Sequence, residues 1–333
     1  MKTCISLLFL FSTLHVVVSF PKTAEQRLLD YLFHNKSADV RPVINTSTAL
    51  DVKFGIELVQ LLQLDERSQC ITTKLWARQE WTNELMRWEP KEWEGVNVLN
   101  VEATDIWKPD IVLYNNAEDS YGGGVHKYKA MINLYPDGRN IWLSPTTFKS
   151  TCKMDVRNFP FDNQRCQLKF GSWSYDSSKV NLSQHLSPPI SKQYLNSSTW
   201  ELLDIEVKFN SELYNCCPIP YHDLTFTFVF HRHPLYFVFN VIAPCIVLVS
   251  IILISFWLPP ESGERLSLNI TVLLALAVFL QFLSDTLPPN SDSKPILSVF
   301  FITMMTECAL ASSSCLLCII KVRTTMQNRH HGG

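Results

Sequence analysis

The sequence predicts an all-β, immunoglobulin-like extracellular sandwich with a short N-terminal helix, followed by transmembrane α-helices. Three observations carry that prediction. The 333 residues are 47% hydrophobic and only 18% charged, against an average near 25% charged, so disorder is excluded for most of the chain. The mean hydropathy of +0.05 averages a polar first two thirds with a last third made of long apolar runs. The first two thirds hold short alternating segments and no long amphipathic helix beyond their start. The net charge of −2 excludes a large basic nucleic-acid footprint.

Taken in order, residues 1–19 read as a signal peptide. Met1-Lys2-Thr3 is a short positive start, Cys4 to Val18 is apolar, and the small residues Val17 and Ser19 suit a cleavage site. The run is shorter than the ~20 residues a span needs. Residues 20–234 then form a domain delivered to an oxidising compartment. Four sequons fit that compartment, at Asn35, Asn45, Asn181 and Asn196; Asn269 also heads a sequon but sits in an apolar run. Thr23 to Phe33 suits a helix, with Ala24, Leu28, Leu29 and Leu32 on its apolar side. Ile56 to Leu64, Thr72 to Trp81, Ile141 to Leu143 and Thr225 to Phe230 suit strands, separated by turn signals such as Pro136-Asp137-Gly138. Antiparallel pairing of such strands gives a sandwich.

Residues 235–320 carry three runs long enough to cross a bilayer, over 235–258, 266–285 and 295–320. Pro244 lies inside the first, where a membrane helix tolerates it if neighbours satisfy the freed carbonyl. Pro259-Pro260 and Pro288-Pro289 separate the runs. With the first domain outside, the third run ends inside, and Lys321, Arg323 and Arg329 in the tail 321–333 obey the positive-inside rule. The second run is patterned. Glu264, Ser267, Thr271, Leu274, Val278, Gln281 and Asp285 are spaced three and four apart, which is one face of a helix. A polar stripe in a membrane must face protein or water. Several copies around an axis would enclose water, with acidic ends that gather cations and an aliphatic level, Leu274 and Val278, that closes by dewetting. The competing role for such a stripe is helix packing, which has no need of carboxylates at both ends.

Of the ten cysteines, Cys4 leaves with the signal peptide. Cys245, Cys308, Cys315 and Cys318 are expected as buried thiols of the apolar runs, the redox-like or zinc-like spacing of Cys315 and Cys318 notwithstanding. Cys152 and Cys166 enclose thirteen residues, an ordinary loop for a disulfide to close. Cys216 and Cys217 are adjacent and, if joined, form a strained ring that stiffens a loop tip. Cys70 is then the odd one, expected as a buried thiol in a strand. No Ser/His/Asp constellation, phosphate loop or zinc-ligand spacing supports an enzyme, and no metal or cofactor is called for.

These residues resemble one family. Cys152-x13-Cys166 with Phe159-Pro160-Phe161-Asp162 inside resembles the signature loop of Cys-loop pentameric ligand-gated ion channels. Trp107-Lys108-Pro109-Asp110 resembles that family's Trp-x-Pro-Asp motif, and Pro244-Cys245 with Gly263 to Leu274 resembles its first two membrane helices. Tyr214-Asn215-Cys216-Cys217-Pro218-Ile219-Pro220-Tyr221 resembles the ligand loop of nicotinic acetylcholine receptor α-type subunits. The similarity runs from Thr23 to Ile320.

The resemblance implies a homo- or heteropentamer of related subunits in the plasma membrane, a postsynaptic one included, with acetylcholine or a similar cation bound between subunits. It places Tyr114, Trp173, Tyr214, the Cys216–Cys217 pair and Tyr221 on the principal face and Trp76 on the complementary face. Ring faces attract a quaternary ammonium, which has no N–H to donate, at roughly 0.5–2 kcal/mol each. Asn133, Ile141 and Leu143 stand on the complementary face where the family mixes aliphatic and polar groups, so agonist preference departs from the familiar pattern. For gating, Glu66 and Arg232 match a buried ion pair. Phe159, Pro160, Phe161 and Pro288 match contacts across the membrane boundary, and Lys169, Tyr214 and Asp223 match a network tied to closure of the ligand loop. Gly263-Glu264-Arg265 matches the inner mouth of cation channels, whereas anion-selective relatives resemble Pro-Ala-Arg there. Family members carry a fourth membrane helix after a long cytoplasmic segment, and Gly333 comes before either. The chain is therefore expected to be either a fragment or a truncated subunit, the latter acting as a non-conducting, dominant-negative partner. A soluble binding protein built on this head would have no use for the pore stripe.

Overall fold

The computed structural model describes residues 21–34, 36–118, 130–186, 188–259, 263–289 and 294–331. The proposed signal peptide and Asn35 lie outside them. Helix α1 spans Ala24–Phe33. Thr23 caps it: its hydroxyl accepts from the Gln26 amide at 3.3 Å, and the Gln26 side chain accepts from the Thr23 amide at 3.1 Å, a reciprocal capping box. Leu28 and Leu32 bury its one apolar face.

Among the described residues eleven strands follow: β1 Leu50–Asp65, β2 Cys70–Thr82, β3 Leu99–Val101, β4 Ile111–Leu113, β5 Ile132–Leu134, β6 Arg139–Thr151, β7 Asn163–Ser172, β8 Val180–Gln184, β9 Ile190–Leu195, β10 Trp200–Glu212 and β11 Tyr221–Arg232. One sheet runs β3-β5-β6-β2-β1-β8, with β9 also on β1, and the other runs β10-β11-β7-β4. Alternation in β1 sends Val52, Phe54, Ile56 and Leu58 inward. The two inner faces meet through rings. Phe54 of the first sheet stands 4.9 Å from Phe170 and 6.2 Å from Phe226 of the second, and Phe148 stands 5.1 Å from Phe170. Each fully buried Phe contributes on the order of 1.5–3 kcal/mol, so this layer fixes the register of the two sheets. The turn at Pro136-Asp137-Gly138 needs glycine, because Gly138 has φ +85° and a Cβ there would meet the Asn83 carbonyl oxygen at 2.4 Å.

Three helices follow the sandwich: α2 Leu235–Ser255, α3 Glu264–Thr286 and α4 Ile296–His331. In α2 the segment Val238–Ile242 is π-helical, and the wide turn precedes Pro244, whose ring and missing N–H a regular helix accommodates poorly. The ends differ from expectation. The first helix stops at Ser255 rather than 258, because Phe256, Trp257 and Leu258 tighten into three-residue turns ahead of Pro259. The third runs on to His331, since residues 321–331 hold neither Pro nor Gly. Two cysteines are corrected. Cys70 opens β2 half-exposed, with its thiol donating to the Ser68 carbonyl at 3.3 Å, because it lies at the strand end beyond the sandwich core. Cys318 is exposed on α4 while Cys245, Cys308 and Cys315 are buried; it lies level with the inner end of α3, where the packing of the two helices runs out.

Candidate ligand-binding face and membrane pathway

Strand β4 pairs with β7 and hands Tyr114 to the edge of the second sheet. The Tyr114 amide donates to the Lys169 carbonyl at 2.8 Å, and its hydroxyl to the Ser172 carbonyl at 2.6 Å. Its ring lies so close to β7 that a Cβ on Gly171 would meet the phenol oxygen at 2.5 Å. Trp173 follows β7, 62% exposed, with its ring 6.0 Å from that of Tyr114. Asp110 shapes this turn. One carboxylate oxygen accepts from the Ser172 hydroxyl at 2.5 Å and the other from the Ser174 amide at 2.7 Å. The β10–β11 hairpin tip carries Tyr214 and the bonded pair Cys216–Cys217, with the rings of Tyr214 and Tyr221 5.8 Å apart. The Ser177 amide donates to the Pro220 carbonyl at 3.0 Å, tying the tip to the Trp173 loop.

Beneath these rings Asp223 is fully buried and pairs with Lys169 at 3.0 Å. Asn210 adds a bond to the same carboxylate at 2.8 Å. Burial pulls the Lys169 pKa down, but the hydrogen bond and charge of Asp223 outweigh it and hold the ammonium above its ordinary value. Burial, with Tyr214 and Asp223 nearby, pushes the Tyr114 phenol far up, so it presents a neutral, electron-rich ring at physiological pH. Of the proposed network, Lys169 and Asp223 are in direct contact, and Tyr214 acts on Lys169 through its charge environment.

The complementary set lies elsewhere, on the outward face of the first sheet. Trp76 pairs across β2–β6 with Pro145, Arg78 with Leu143 and Glu80 with Ile141, and Ile141 pairs with Asn133 on β5. Leu143 is exposed, Trp76 and Asn133 are half-buried and Ile141 is buried. Among the described residues no ring contact or hydrogen bond joins this face to Trp173 or Tyr214.

Where the sandwich meets the helices, Arg232 donates to Glu66 at 2.6 Å and to both oxygens of Asp162 at 2.7 and 3.1 Å. Its guanidinium is boxed by the rings of Trp200, Phe159 and Phe237 at 4.2, 4.9 and 5.6 Å. Asp162 sits in the quoted Phe-Pro-Phe-Asp motif, and the spacing gives no sign that it shares Arg232 with Glu66. Cys152 and Cys166 are bonded and hold the intervening loop over the helices. Phe159, Pro160 and Phe161 line a cavity of about 600 Å³ together with Ile242, Ile246 and Phe300. Pro288 is buried near the outer end of α3. Among the described residues two direct bonds cross the boundary: Arg67 to the Asp285 carbonyl at 3.5 Å, and the Ile296 amide to the Arg157 carbonyl at 3.0 Å.

On α3 the seven stripe residues Glu264, Ser267, Thr271, Leu274, Val278, Gln281 and Asp285 are all exposed, while Asn269, Val272, Leu276 and Leu283 are buried. The helix thus packs on one side and presents the stripe on the other. Asn45 and Asn196 are exposed, as carbohydrate attachment requires. Asn181 is half-buried, donates to Asp51 at 2.7 Å and faces His222 at 2.9 Å. No metal-ligand cluster is found among the described residues.

A sandwich with an aromatic, cystine-tipped edge, standing on three helices of membrane length, is the architecture of a membrane receptor. The profile of the neurotransmitter-gated ion-channel ligand binding domain matches residues 25–234, and that of the neurotransmitter-gated ion-channel transmembrane region matches residues 241–331. The chain belongs to the neurotransmitter-gated ion-channel family, whose members are channels and not enzymes. It is a multi-pass membrane protein with its N-terminal domain on the extracellular side. Similar curated proteins include the neuronal acetylcholine receptor subunit alpha-4 of Gallus gallus, 39% identical over 282 residues, which are 85% of this chain and 45% of that protein. The alpha-2 subunit of Rattus norvegicus is 40% identical over 282 residues, 85% of this chain and 55% of its own. The alpha-4 subunit of Homo sapiens is 39% identical, with coverage of 85% and 44%. The chain spans about half the length of these relatives.

Proposed function

We propose that the chain is a subunit of a nicotinic-type cation channel, a homo- or heteropentamer that opens when acetylcholine or a similar cation binds between subunits. The observation that supports this most is the gathering of Tyr114, Trp173, Tyr214 and Tyr221 beside Cys216–Cys217 at one exposed edge. Four ring faces suit a permanent cation that cannot donate an N–H bond. The set is open on one side, and Trp76, Leu143 and Asn133 occupy a different face of the sandwich, so a neighbouring subunit would complete the site. Ligand capture would act on the Lys169–Asp223 pair beneath the hairpin and, through β11, on Arg232 at the membrane boundary.

Saturation binding of a radiolabelled quaternary-ammonium agonist to membranes tests this reading. Trp173→Ala is expected to weaken binding by about 1–2 kcal/mol, the scale of a desolvated cation–π contact. Unchanged affinity in an assembled variant would overturn the site assignment.

A further inference from the structure

We propose that Asn181 of β8 is a positioning residue of the ligand face, pinning His222 of β11 to the first sheet so that the ligand hairpin turns about that point. The proposal rests on the binding reading above. Residues 221–223 of β11 alternate in facing. Tyr221 and Asp223 take the side of the ligand rings and of Lys169. His222 shares the other side with Leu224, Phe226 and Phe228, which are buried toward the first sheet. It is half-buried, with its ring 4.9 Å from that of Phe209 on β10. Across the gap stands Asn181, opposite Asp51 in the parallel pairing of β8 with β1. The Asn181 side chain reaches both neighbours. Its nitrogen lies 2.7 Å from the Asp51 carboxylate, and its oxygen lies 2.9 Å from His222 Nδ1.

The three groups fix one another's orientation. An ionised carboxylate only accepts, so the Asn181 amino group faces Asp51 and the amide oxygen faces His222. His222 Nδ1 therefore carries a hydrogen and donates it to Asn181. Burial lowers the His222 pKa, although Asp223 beside it favours the charged form, so at neutral pH the ring is the neutral Nδ1–H tautomer. The row Asp51–Asn181–His222 ties the base of the hairpin to the first sheet. The tie falls one residue from Tyr221, a ring of the ligand face, and one from Asp223, the partner of Lys169. Tyr214 and the Cys216–Cys217 pair lie beyond it, toward the tip. A ligand that draws the tip inward thus swings it against an anchored base. Protonation of His222 at Nε2 puts a positive charge between Tyr221 and Asp223, where it opposes a cationic ligand and competes with Lys169 for the carboxylate. The charged groups that face His222 are Asp223 of its own strand and, through Asn181, Asp51 of β1; β10 presents the Phe209 ring.

The test is saturation binding of a radiolabelled quaternary-ammonium agonist from about pH 5 to pH 8, the range in which histidine titrates. The full chain is expressed alone or with a full-length relative. Asn181→Leu removes both bonds and is expected to weaken binding at neutral pH by about fivefold, the scale of one hydrogen bond. Ser183→Ala removes the Asn181 sequon but leaves both bonds, so it should bind as wild type, which separates the pin from any carbohydrate. The double exchange Asp51→Asn with Asn181→Asp keeps both bonds but turns the carboxylate toward His222. It should match wild type at pH 8 and lose affinity about one pH unit above the point where wild type does. His222→Gln should flatten the profile. An exchange variant with the wild-type profile, or Asn181→Leu with wild-type affinity, would overturn the pin. Hydrogen exchange of the solubilised full chain without agonist gives a second reading. Amides of residues 211–213 and 221–223 should exchange about fivefold faster in Asn181→Leu than in wild type or Ser183→Ala, and equal rates would overturn the pin whatever the ligand. Trp173→Ala keeps the two readings apart. Unchanged affinity in Trp173→Ala, with faster exchange in Asn181→Leu, removes the ligand face and keeps the pin as the joint of the hairpin. Weakened binding in Trp173→Ala, with neither affinity nor exchange altered in Asn181→Leu, removes the pin and keeps the face.

Discussion

At the scale of single residues, the proposed ligand face depends on side chains that stand behind its rings. Asp110 holds both ends of the Trp173 turn, and Gly171 leaves room for the Tyr114 ring. Gly171→Ala places a methyl within 2.7 Å of the Tyr114 ring carbon that bears the hydroxyl, so the ring must leave. It then loses its bond to the Ser172 carbonyl and its edge contact with Trp173. Agonist affinity is expected to fall by about 1–2 kcal/mol. Alanine is not intrinsically worse than glycine within a strand, so surface expression of the head should persist. Radioligand saturation beside an antibody count of surface protein checks both, and full affinity at normal expression would show that Tyr114 is not held as described. The aromatic residues of this face were legible in the sequence because their motifs carry them. The roles of Asp110 and Gly171 were not, because each acts through a partner about sixty residues away that only the fold brings near. Asp162 was hidden in the same way. Its bond to Arg232 joins the loop residue just before β7 to the end of β11, and removing either partner of such a buried pair costs about 3–5 kcal/mol.

At the scale of elements, periodicity was the reliable signal. The three-and-four spacing on α3 survives as one exposed face against one packed face, and two-residue alternation survives over most of β2, whereas in β1 bulges at Leu58/Gln60 and Leu61/Gln63 interrupt the alternation expected over Ile56 to Leu64. Ends were less legible. Pro259 ends a helix three residues before the apolar run does, and α4 continues into polar sequence that hydropathy alone reads as tail. A run judged by its average also conceals single residues, such as Glu307, exposed within the apolar part of α4. For α3 the exposed Leu274 and Val278, 66% and 63% open in the single chain, mark the level where a ring of side chains would exclude water. Leu274→Ser wets that level. It is expected to raise spontaneous opening and shift the agonist concentration–response curve to lower concentration. Whole-cell current in the absence of agonist, and its block by a pore blocker, measure the effect. A Leu274→Ser variant as silent as wild type would place the gate elsewhere.

At the scale of the whole molecule, one chain of bonded steps joins the ligand edge to the membrane. Lys169–Asp223 lies under the hairpin, β11 runs from there to Arg232 with Glu66 and Asp162, and the disulfide-closed loop rests against α2 and α4. Arg67 reaches the Asp285 carbonyl at the outer end of the proposed pore helix. The central claim is that this path ends on a cation pore lined by the exposed face of α3. In a five-fold assembly Glu264 recurs five times at the inner mouth, and Glu264→Gln removes that ring of charge. Neighbouring carboxylates in a narrow, partly hydrated mouth interact by about 1–4 kcal/mol at close range, enough to change ion occupancy. The direct test is single-channel conductance of Glu264→Gln in channels shown to contain the mutant chain, expressed alone or with a full-length relative. Lower cation conductance than wild type is the expected result. Conductance and reversal potential both equal to wild type would mean that this face of α3 does not line the pore.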